Sequence, residues 1–326
     1  MKSTLRTKLY FLSVKLRSIV YKLFHYCFRK DKGKPCVIAI IDSTRRNGGL
    51  GDRFRHIISI YSFCKQNKLP FKLSFTDPVD IRYFFLPNKY DWRIKQEELS
   101  NSFFKSSVVF LLSGYKNKGI DFHTETEWQV ECLRKAVKGV DKKQIHVFGN
   151  AHIANECDFS DMFEELFKPS DLLQSRLNEM KLKTGETYSA AVFRFQNLLG
   201  DLKERGSRML NDIDRKRLMQ RCKSKLIELH DNGQLKNDVV LVTSDSVTFL
   251  KFIVDLDFIK TIPGEIAHPD YDKNAAAETY LKSYVDLLML SDAEEIILFQ
   301  TERMYQSGFP QIAAQIGNKP FRIINW

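Results

Sequence analysis

The sequence NGGLGDR, at residues Asn47–Arg53, lies between an apolar run and a segment with helical periodicity. The apolar run is VIAII at Val37–Ile41, which is typical of a buried β-strand. In Phe54–Phe63, apolar residues recur at the spacing of one helix face. The glycines are therefore predicted to form a strand-to-helix turn, where glycine permits positive φ and a close approach of the backbone to a ligand.

A turn of this kind can bind an anion. The N-terminus of the following helix presents N–H groups and a partial positive charge, and both favour a phosphate. Arg53 would add a guanidinium with a fixed fork of donors. A second interpretation stays open, in which the same glycines form a tight turn that binds no ligand.

Apolar runs and helical segments alternate along the rest of the chain. This alternation predicts an α/β fold whose mostly parallel sheets are covered by helices on both faces. The predicted strands are 71–75, 108–112, 145–150, 188–195, 239–243, 258–262, 294–299 and 321–324, and the predicted helices are 125–138, 158–183 with a break at Pro169, 212–230, 247–256, 275–290 and 308–316.

The length of 326 residues favours two domains. The break at Pro169 separates two alternating series, so the predicted boundaries are 1–34 for an N-terminal segment, 35–168 for a first α/β domain and 169–326 for a second. Two Rossmann-like domains are expected to face a central cleft, with ligands at the carboxyl ends of their strands.

Most of the net charge of +11 lies in the N-terminal segment, where eight bases and no acid alternate with apolar residues in 1–30. No apolar run there approaches the roughly 20 residues that cross a bilayer. The pattern predicts a basic amphipathic helix on an anionic membrane surface. A helix packed on the domain, or one that docks on a partner protein, is the alternative. The bases are Lys2, Arg6, Lys8, Lys15, Arg17, Lys22, Arg29 and Lys30.

Polar groups follow several predicted strands. Arg194 leaves an apolar strand and needs an anion, which is either a ligand diphosphate or an ion-pair partner such as Asp201 or Glu204. The segment Ser244–Ser246 is expected either to bond a nucleotide or to cap a helix through Ser244 or Asp245. Ser307–Phe309 opens the last helix, and its N–H groups would form an anion site or a plain cap.

Asp286 lies in an otherwise apolar helix and therefore needs a partner, either a backbone turn or a ligand hydroxyl. The seven histidines lack metal-ligand spacing, and none of the six cysteines forms a C-x-x-C pair. We therefore expect no metal site, and reduced thiols in a cytoplasmic protein.

The order of these motifs resembles the GT-B fucosyltransferase superfamily, which uses GDP-fucose. Gly49–Arg53 resembles the glycine-rich G-x-G-[ND]-[RQ] segment of that superfamily, and Arg194 resembles the arginine of its H-x-R motif. Val242–Ser246 is similar to its strand-end T-D-D or S-D-D segment, and Tyr284–Ala293 to its D-x-x-x-L-S-x-A helix. Ser307–Phe309 looks like the start of its final serine motif.

The resemblance implies an inverting, metal-independent glycosyltransferase that moves a sugar, expected to be fucose, from GDP to a glycan hydroxyl. The second domain would bind the donor, the first would bind a glycan or lipid-linked oligosaccharide, and no cofactor is implied. The expected setting is polysaccharide synthesis at the inner face of the cytoplasmic membrane. Arg194, Asp52 and Arg53 are the predicted catalytic residues, with Asp52 as the base and Asp201 as its alternative. The predicted donor-binding residues are Gly48, Gly49, Gly51, Asp201, Ser244, Asp245, Ser246, Asp286, Ser307, Gly308 and Phe309.

Two other functions stay open. Val192 stands where the superfamily has the histidine of H-x-R, which favours a nucleotide-sugar-binding protein without catalysis as the alternative. The basic charge also suggests a nucleic-acid-binding protein as a third function. We expect no nucleic-acid partner, because the charge is concentrated in one segment and no stacking platform or recognition motif occurs.

Overall fold

The computed structural model describes residues 5–28, 33–112, 119–138, 140, 143–153, 158–201, 208–267 and 275–326. The chain divides into two compact units. The first unit consists of Met1–Gly48, Asp52–Ile81 and Pro87–Lys168, and the second consists of Gly49–Gly51, Arg82–Leu86 and Pro169–Trp326.

Four parallel strands form the sheet of the first unit. β1 (Cys36–Ile41) lies between β2 (Phe71–Phe75) and β5 (Gln144–Gly149), and β4 (Ser106–Leu111) is the edge strand beside β5. Every residue of β1 is buried, as its continuous apolar sequence predicts for a strand with both faces covered.

Helices connect these strands. α1 (Leu5–His25) precedes β1, α2 (Leu50–Gln66) joins β1 to β2, and α3 (Phe122–Val137) joins β4 to β5. The predicted strand-to-helix turn is confirmed, but α2 begins at Leu50, four residues before the periodic segment that starts at Phe54. Gly51, Asp52 and Arg53 therefore lie in its first turn, where the carboxylate of Asp52 suits the positive end of the helix dipole.

Five parallel strands form the sheet of the second unit, in the order β9-β8-β7-β10-β11. Counted along the chain this is the order 3-2-1-4-5 of Rossmann-type sheets. The first strand along the chain, β7, is central and wholly buried. The strands are β7 (Ser189–Phe193), β8 (Val240–Ser244), β9 (Ile259–Thr261), β10 (Glu295–Gln300) and β11 (Phe321–Asn325).

The helices of the second unit pack on this sheet. Tyr188, directly before β7, donates a hydrogen bond of 2.7 Å to the carbonyl of Met289 and so ties the strand to a buried helix. The α/β fold class with parallel sheets is confirmed, and the predicted strand 188–195 ends two residues early, at Phe193. The helices are α5 (Asp171–Thr184), α6 (Asp212–Asp231), α7 (Val247–Ile253), α8 (Ala277–Asp292) and α9 (Phe309–Gly317).

The predicted break at Pro169 is confirmed. α4 (Phe159–Leu166) ends three residues before Pro169, and the three-residue strand β6 (Phe167–Pro169) follows. Ser170 then caps α5 by accepting from the N–H of Leu173. β6 pairs with β3 (Phe85–Pro87), which the sequence did not predict, because three residues show no periodicity.

We expect Gly149→Ala, at the end of β5, to lower the free energy of unfolding by at least about 3 kcal/mol, measured by urea denaturation. Its φ is +121°, and a Cβ there would lie 2.4 Å from the carbonyl oxygen of Leu111. Gly233→Ala is the matched control, because φ is also positive at +62° but the added Cβ meets only open space. The control should cost about 1 kcal/mol, and equal losses would contradict the packing argument.

Candidate functional site

The strand order of the second unit reverses between β7 and β10. The chain passes from β7 to β8 and β9 on one side, and β10 then pairs with β7 on its other side. Ligands of open parallel sheets bind beyond the carboxyl ends of the strands at such a point. Arg194 follows β7 directly, and Thr301 follows β10.

Arg194 is held by a carboxylate from the next strand. Its Nη1 lies 3.0 Å from Oδ2 of Asp245, the first residue after β8. The register that pairs Phe193 with Ser244 accounts for this contact, because it brings the two following residues level. Asp245 is buried, whereas the Arg194 side chain stays 19% exposed. The predicted ion-pair alternatives were Asp201, which has other partners, and Glu204, which lies outside the described residues.

Asp245 also shapes the turn after β7. Its two carboxylate oxygens accept hydrogen bonds from the backbone N–H groups of Phe195 (2.8 Å) and Gln196 (2.6 Å). Gln196 has a φ of +53°, a conformation that a residue other than glycine adopts only at some cost. The carboxylate therefore fixes both the backbone that carries Arg194 and the guanidinium itself.

The neighbouring loop is bound in the same way. Ser246, not Ser244 or Asp245, caps α7, since its hydroxyl accepts from the N–H of Phe249 at 3.0 Å. The Ser246 hydroxyl also donates a short hydrogen bond to Asp201, whose other oxygen accepts from the Thr248 hydroxyl at 2.7 Å. The predicted residues Asp201, Ser244, Asp245 and Ser246 thus lie together and bond to protein groups.

The N-terminus of α9 lies close to the end of β7. The N–H of Tyr305, just before Ser307, donates to the carbonyl of Arg194 at 3.3 Å. Gly308 is the N-cap of the helix, and the Ser307 hydroxyl accepts from the N–H of Phe309 at 3.2 Å. Pro310 has no N–H, so this helix start offers a ligand fewer donors than its sequence position predicts.

Thr301 was missed by the sequence analysis. Its side chain is buried at the end of β10, and within the described part of the chain its hydroxyl oxygen has no hydrogen-bond partner. Leaving a buried hydroxyl unbonded is unfavourable, so such an atom at a strand-order reversal points to a ligand group. The signal available in the sequence was the position directly after a buried strand.

Asp286 was predicted to need a backbone turn or a ligand, and the structure gives it another partner. Lys282, one helical turn earlier in α8, places Nζ 3.0 Å and 2.7 Å from its two oxygens. Both side chains are largely buried, and desolvation raises the pKa of Asp286 despite the opposing charge of Lys282. The pair explains how this helix carries a carboxylate in an apolar environment.

In the first unit, Gly48 of the glycine turn lies against Asp52 in the first turn of α2. Gly48 has a φ of +78°, and a Cβ there would lie 2.7 Å from Oδ2 of Asp52. A side chain at this position would therefore displace the Asp52 carboxylate. Gly49 and Gly51 belong to the second unit, where a Cβ on Gly51 would be 3.5 Å from Cα of Phe309, an ordinary contact.

Arg53 supports the turn from inside. Its side chain is fully buried, and Nε donates to the carbonyl of Gly48 at 3.0 Å. The rest of the guanidinium bonds Asp77 through a short contact to the carbonyl and a 3.4 Å contact to Oδ2. Asn47 donates to the same Oδ2 at 3.2 Å and to the carbonyl of Asp42 at 2.8 Å.

Asp52 faces outward from the same turn. Its side chain is 37% exposed and pairs with Nη1 of Arg55 at 3.2 Å. Arg55 also lies 3.3 Å from Nδ1 of His152. Burial, together with the charge of Arg55, lowers the pKa of His152 to about 3, so its ring stays neutral at physiological pH. His152 follows β5 by three residues and was also missed by the sequence analysis.

His56 and Asn150 complete the carboxyl end of β5. The buried His56 ring contacts the carbonyl of Val147 through Nε2, and Nδ1 accepts from the N–H of Ala151 at 3.2 Å. Burial lowers the pKa of His56 to about 4. Asn150, level with Asp42 beyond β1, has a buried Oδ1 that lacks a partner among the residues described.

Within the described ranges, no three or more His, Cys, Asp or Glu side chains are grouped so that they could hold a metal ion. The helices described here are also too short or too polar to pass through a bilayer.

Several solved structures have the same fold. NodZ α-1,6-fucosyltransferase soaked with GDP-fucose matches with a TM-score of 0.53 and 13% identity, over 90% of this chain and 95% of that one. Fucosyltransferase NodZ from Bradyrhizobium matches with a TM-score of 0.52 and 13% identity, over 86% of this chain and 92% of that one. The apo form of POFUT1 matches with a TM-score of 0.50 and 10% identity, over 90% of this chain and 99% of that one. No family model and no curated protein matches the sequence. The predicted likeness to fucosyltransferases is confirmed for the fold.

We expect the stability of the protein to fall as pH falls from 6.5 towards 4, because the unfolded chain then protonates His56 while the folded one does not. Each such histidine costs at most about 1.4 kcal/mol per pH unit in this window. His56→Gln keeps one donor and one acceptor but cannot titrate, so it should flatten the pH profile of the unfolding free energy.

His123→Gln is the control for this experiment, because that side chain is 81% exposed in the same unit. It should leave the slope unchanged. A slope that is the same for wild type and His56→Gln would show that His56 does not stay neutral in the folded state.

Proposed function

We propose that this chain is a glycosyltransferase that moves a sugar from a nucleoside diphosphate to a glycan hydroxyl. One observation carries the proposal. Arg194 is a partly exposed guanidinium, fixed by Asp245 at the strand-order reversal of a Rossmann-type sheet. A permanently charged fork at that place suits a diphosphate, because guanidinium groups bind phosphate oxygens in a bidentate way.

The proposed donor is GDP-fucose. Its support is the fold shared with NodZ, a fucosyltransferase whose crystal was soaked with that compound. The donor would bind at the second unit, where Arg194, Thr301 and the start of α9 at Ser307, Gly308 and Phe309 lie near the carboxyl ends of β7 and β10. Thr301 would exchange with the donor a hydrogen bond that no residue described in the structure supplies.

The proposed reaction is a single displacement with inversion. The acceptor oxygen forms a bond to the anomeric carbon, the bond from that carbon to the diphosphate breaks, and GDP leaves with the electron pair. Arg194 stabilises the growing negative charge on the diphosphate. Because this charge is supplied by a side chain, we expect transfer to be independent of a metal ion, and a chelator should leave the rate unchanged.

A base must take the proton of the acceptor hydroxyl, and Asp52 is the proposed residue. Its side chain is 37% exposed and has Arg55 as an ion-pair partner, so a substrate can reach the carboxylate. Asp201 is the alternative, although the Ser246 and Thr248 hydroxyls already donate to its oxygens. The first unit would bind the acceptor, a glycan or lipid-linked oligosaccharide of polysaccharide synthesis.

The other predicted site residues are proposed to hold these groups in place. Arg53 donates a hydrogen bond to the carbonyl of Gly48. It would thereby hold the glycine turn in a conformation in which the backbone of the turn can contact a ligand. Asp245 and Ser246 would act through the turn after β7 and the start of α7. Ser244 is proposed to contact the sugar donor directly. Asp286 is proposed to act on the sugar donor through Lys282, with which it is paired.

Arg194→Ala is expected to weaken GDP binding by about 10-fold to 100-fold, because charge-assisted hydrogen bonds of roughly 1.5–3 kcal/mol are lost. GDP release from GDP-fucose should fall to background. Calorimetry gives the dissociation constant, and coupled detection of GDP gives the turnover. Arg194→Lys, which keeps a charge beside Asp245 but loses the fork, should show an intermediate defect.

Arg176→Ala is the matched control, since Arg176 is exposed in the same unit and pairs only with a surface glutamate in the described structure. It should bind GDP like the wild type. Wild-type affinity in Arg194→Ala would remove the main support for the proposal. Tight GDP-fucose binding without GDP release would instead favour the nucleotide-sugar-binding protein without catalysis.

Thr301→Val is expected to weaken GDP-fucose binding by about tenfold while the protein stays at least as stable. Valine keeps the shape of the side chain and removes a buried hydroxyl that has no partner among the described residues. Thr279→Val in α8 is the control and should leave the affinity unchanged. Unchanged affinity together with unchanged melting temperature in Thr301→Val would exclude a donor contact by this hydroxyl.

A further inference from the structure

Helix α1 is attached to the first unit by one narrow face. Val14 is buried among the side chains of the sheet, including Phe148. Phe11 stacks on Trp128 of α3 with ring centroids 4.4 Å apart, and Tyr21 makes an edge contact with Phe148 at 5.2 Å. These contacts hold the helix against the folded unit along most of its length.

The opposite face of α1 is apolar and points to solvent. Its eight large side chains are between 42% and 82% exposed. Seven of them follow one another at steps of one, three or four residues, so they form a stripe about 100° wide along the helix, and Phe24 extends it at one edge. We call this stripe the outer face; its residues are Leu5, Leu9, Leu12, Leu16, Ile19, Val20, Leu23 and Phe24.

This arrangement is the reverse of an ordinary surface helix, which turns its apolar stripe to the core and its polar face to water. Here the packed face includes the small polar residues Thr7 and Ser18, which are buried, while leucines are exposed. A continuous apolar surface of this kind in a folded protein marks a site of interaction.

The charges beside the outer face identify the partner. α1 contains five Lys and Arg residues and no Asp or Glu. Lys8, Lys15 and Lys22 are spaced by seven residues and therefore line one edge of the stripe, while Arg6 and Arg17, eleven apart, line the other edge. A second copy of α1 packed on the outer face would bring bases against bases, whereas an anionic lipid surface offers acyl chains and negative headgroups together.

Two exposed aromatic side chains lie beyond the end of the helix. Phe28 is 67% exposed and stacks on Phe103 at 4.7 Å, and its neighbour Phe104 is 57% exposed. Lys22 places Nζ 4.2 Å from the centroid of the Phe103 ring, which connects this pair to α1. Aromatic rings beside bases are favourable at the headgroup level of a bilayer.

We propose that the outer face of α1 inserts into the headgroup region of an anionic lipid bilayer and holds the first unit flat on its surface. The helix is attached to the first unit through Val14, which packs on the sheet, and Phe11, which stacks on Trp128 of α3, so it acts as a rigid mount and not as a flexible tether. Of the eight bases that the sequence assigned to this surface, Lys2, Arg29 and Lys30 lie outside the described residues. The proposal stands independently of sugar transfer.

The test is sedimentation of the full chain with vesicles of phosphatidylglycerol and phosphatidylcholine, and with vesicles of phosphatidylcholine alone. We expect binding to the anionic vesicles that weakens as salt is raised, because the bases contribute by screened attraction. The triple variant L9Q/L16Q/L23Q should lose more than about 100-fold of this binding. K8Q/K15Q/K22Q should lose about tenfold or more and should show a weaker salt dependence.

The control variant is L182Q/I213Q/V254Q, which removes three apolar side chains that are 89%, 72% and 68% exposed in the second unit. It should bind vesicles like the wild type. The changed side chains are exposed except that of Lys22, which is partly buried against Phe103, so the melting temperatures of the three variants should stay within a few degrees of the wild type. Wild-type vesicle binding by L9Q/L16Q/L23Q, or none by the wild type, would overturn the proposal. So would a dimer in light scattering that L9Q/L16Q/L23Q dissociates, since the face would then pair copies of the chain.

Discussion

The two central strands of this protein are buried along their whole length, and this constraint determines where its polar chemistry can lie. β1 and β7 each lie in a sheet that helices cover on both faces, so all of their residues are buried. A polar side chain on either strand would lose its hydration. Neither strand carries an Asp, Glu, His, Lys or Arg residue. The charged candidate residues Arg194 and Asp77 come after strands end, and because all the strands of a sheet are parallel, those ends meet at the same edge. The candidate residues of each unit collect at that edge for this reason.

Each unit uses a buried carboxylate to fix the backbone beside its first strand. In the second unit Asp245 bonds two backbone N–H groups and Arg194, and in the first unit Asp77 bonds Asn47 and Arg53. The two pairs differ in burial, since the Arg194 side chain is 19% exposed while that of Arg53 is fully covered. An arginine that is partly covered keeps its charge available to an anion, whereas a fully covered one serves the loop that it bonds. This difference is why we propose the phosphate contact for Arg194 and a supporting role for Arg53.

α1 shows how two faces of one helix serve different surroundings. The face with Val14 and Tyr21 joins the core of the first unit, and the leucine stripe opposite it is left outside. The apolar periodicity of the sequence does not distinguish the residues of α1 that the fold covers from those that it leaves exposed. The structure divides them, and the division gives the proposed lipid surface its residues.

The sequence by itself was enough to predict most strands and helices, their alternation and the likeness of the fold to fucosyltransferases, because apolar periodicity and strand-end motifs are local properties. It also located Arg194, Asp245 and Ser307 as residues that follow buried strands or begin a helix. Tertiary structure decided the partners: Asp245 for Arg194, Lys282 for Asp286, Ser246 as the cap of α7, and Asp77 for Arg53. It also revealed Thr301, His152 and Asn150, which have no motif. Partners depend on strand register and helix packing between residues far apart in the chain, and no local pattern encodes these distances.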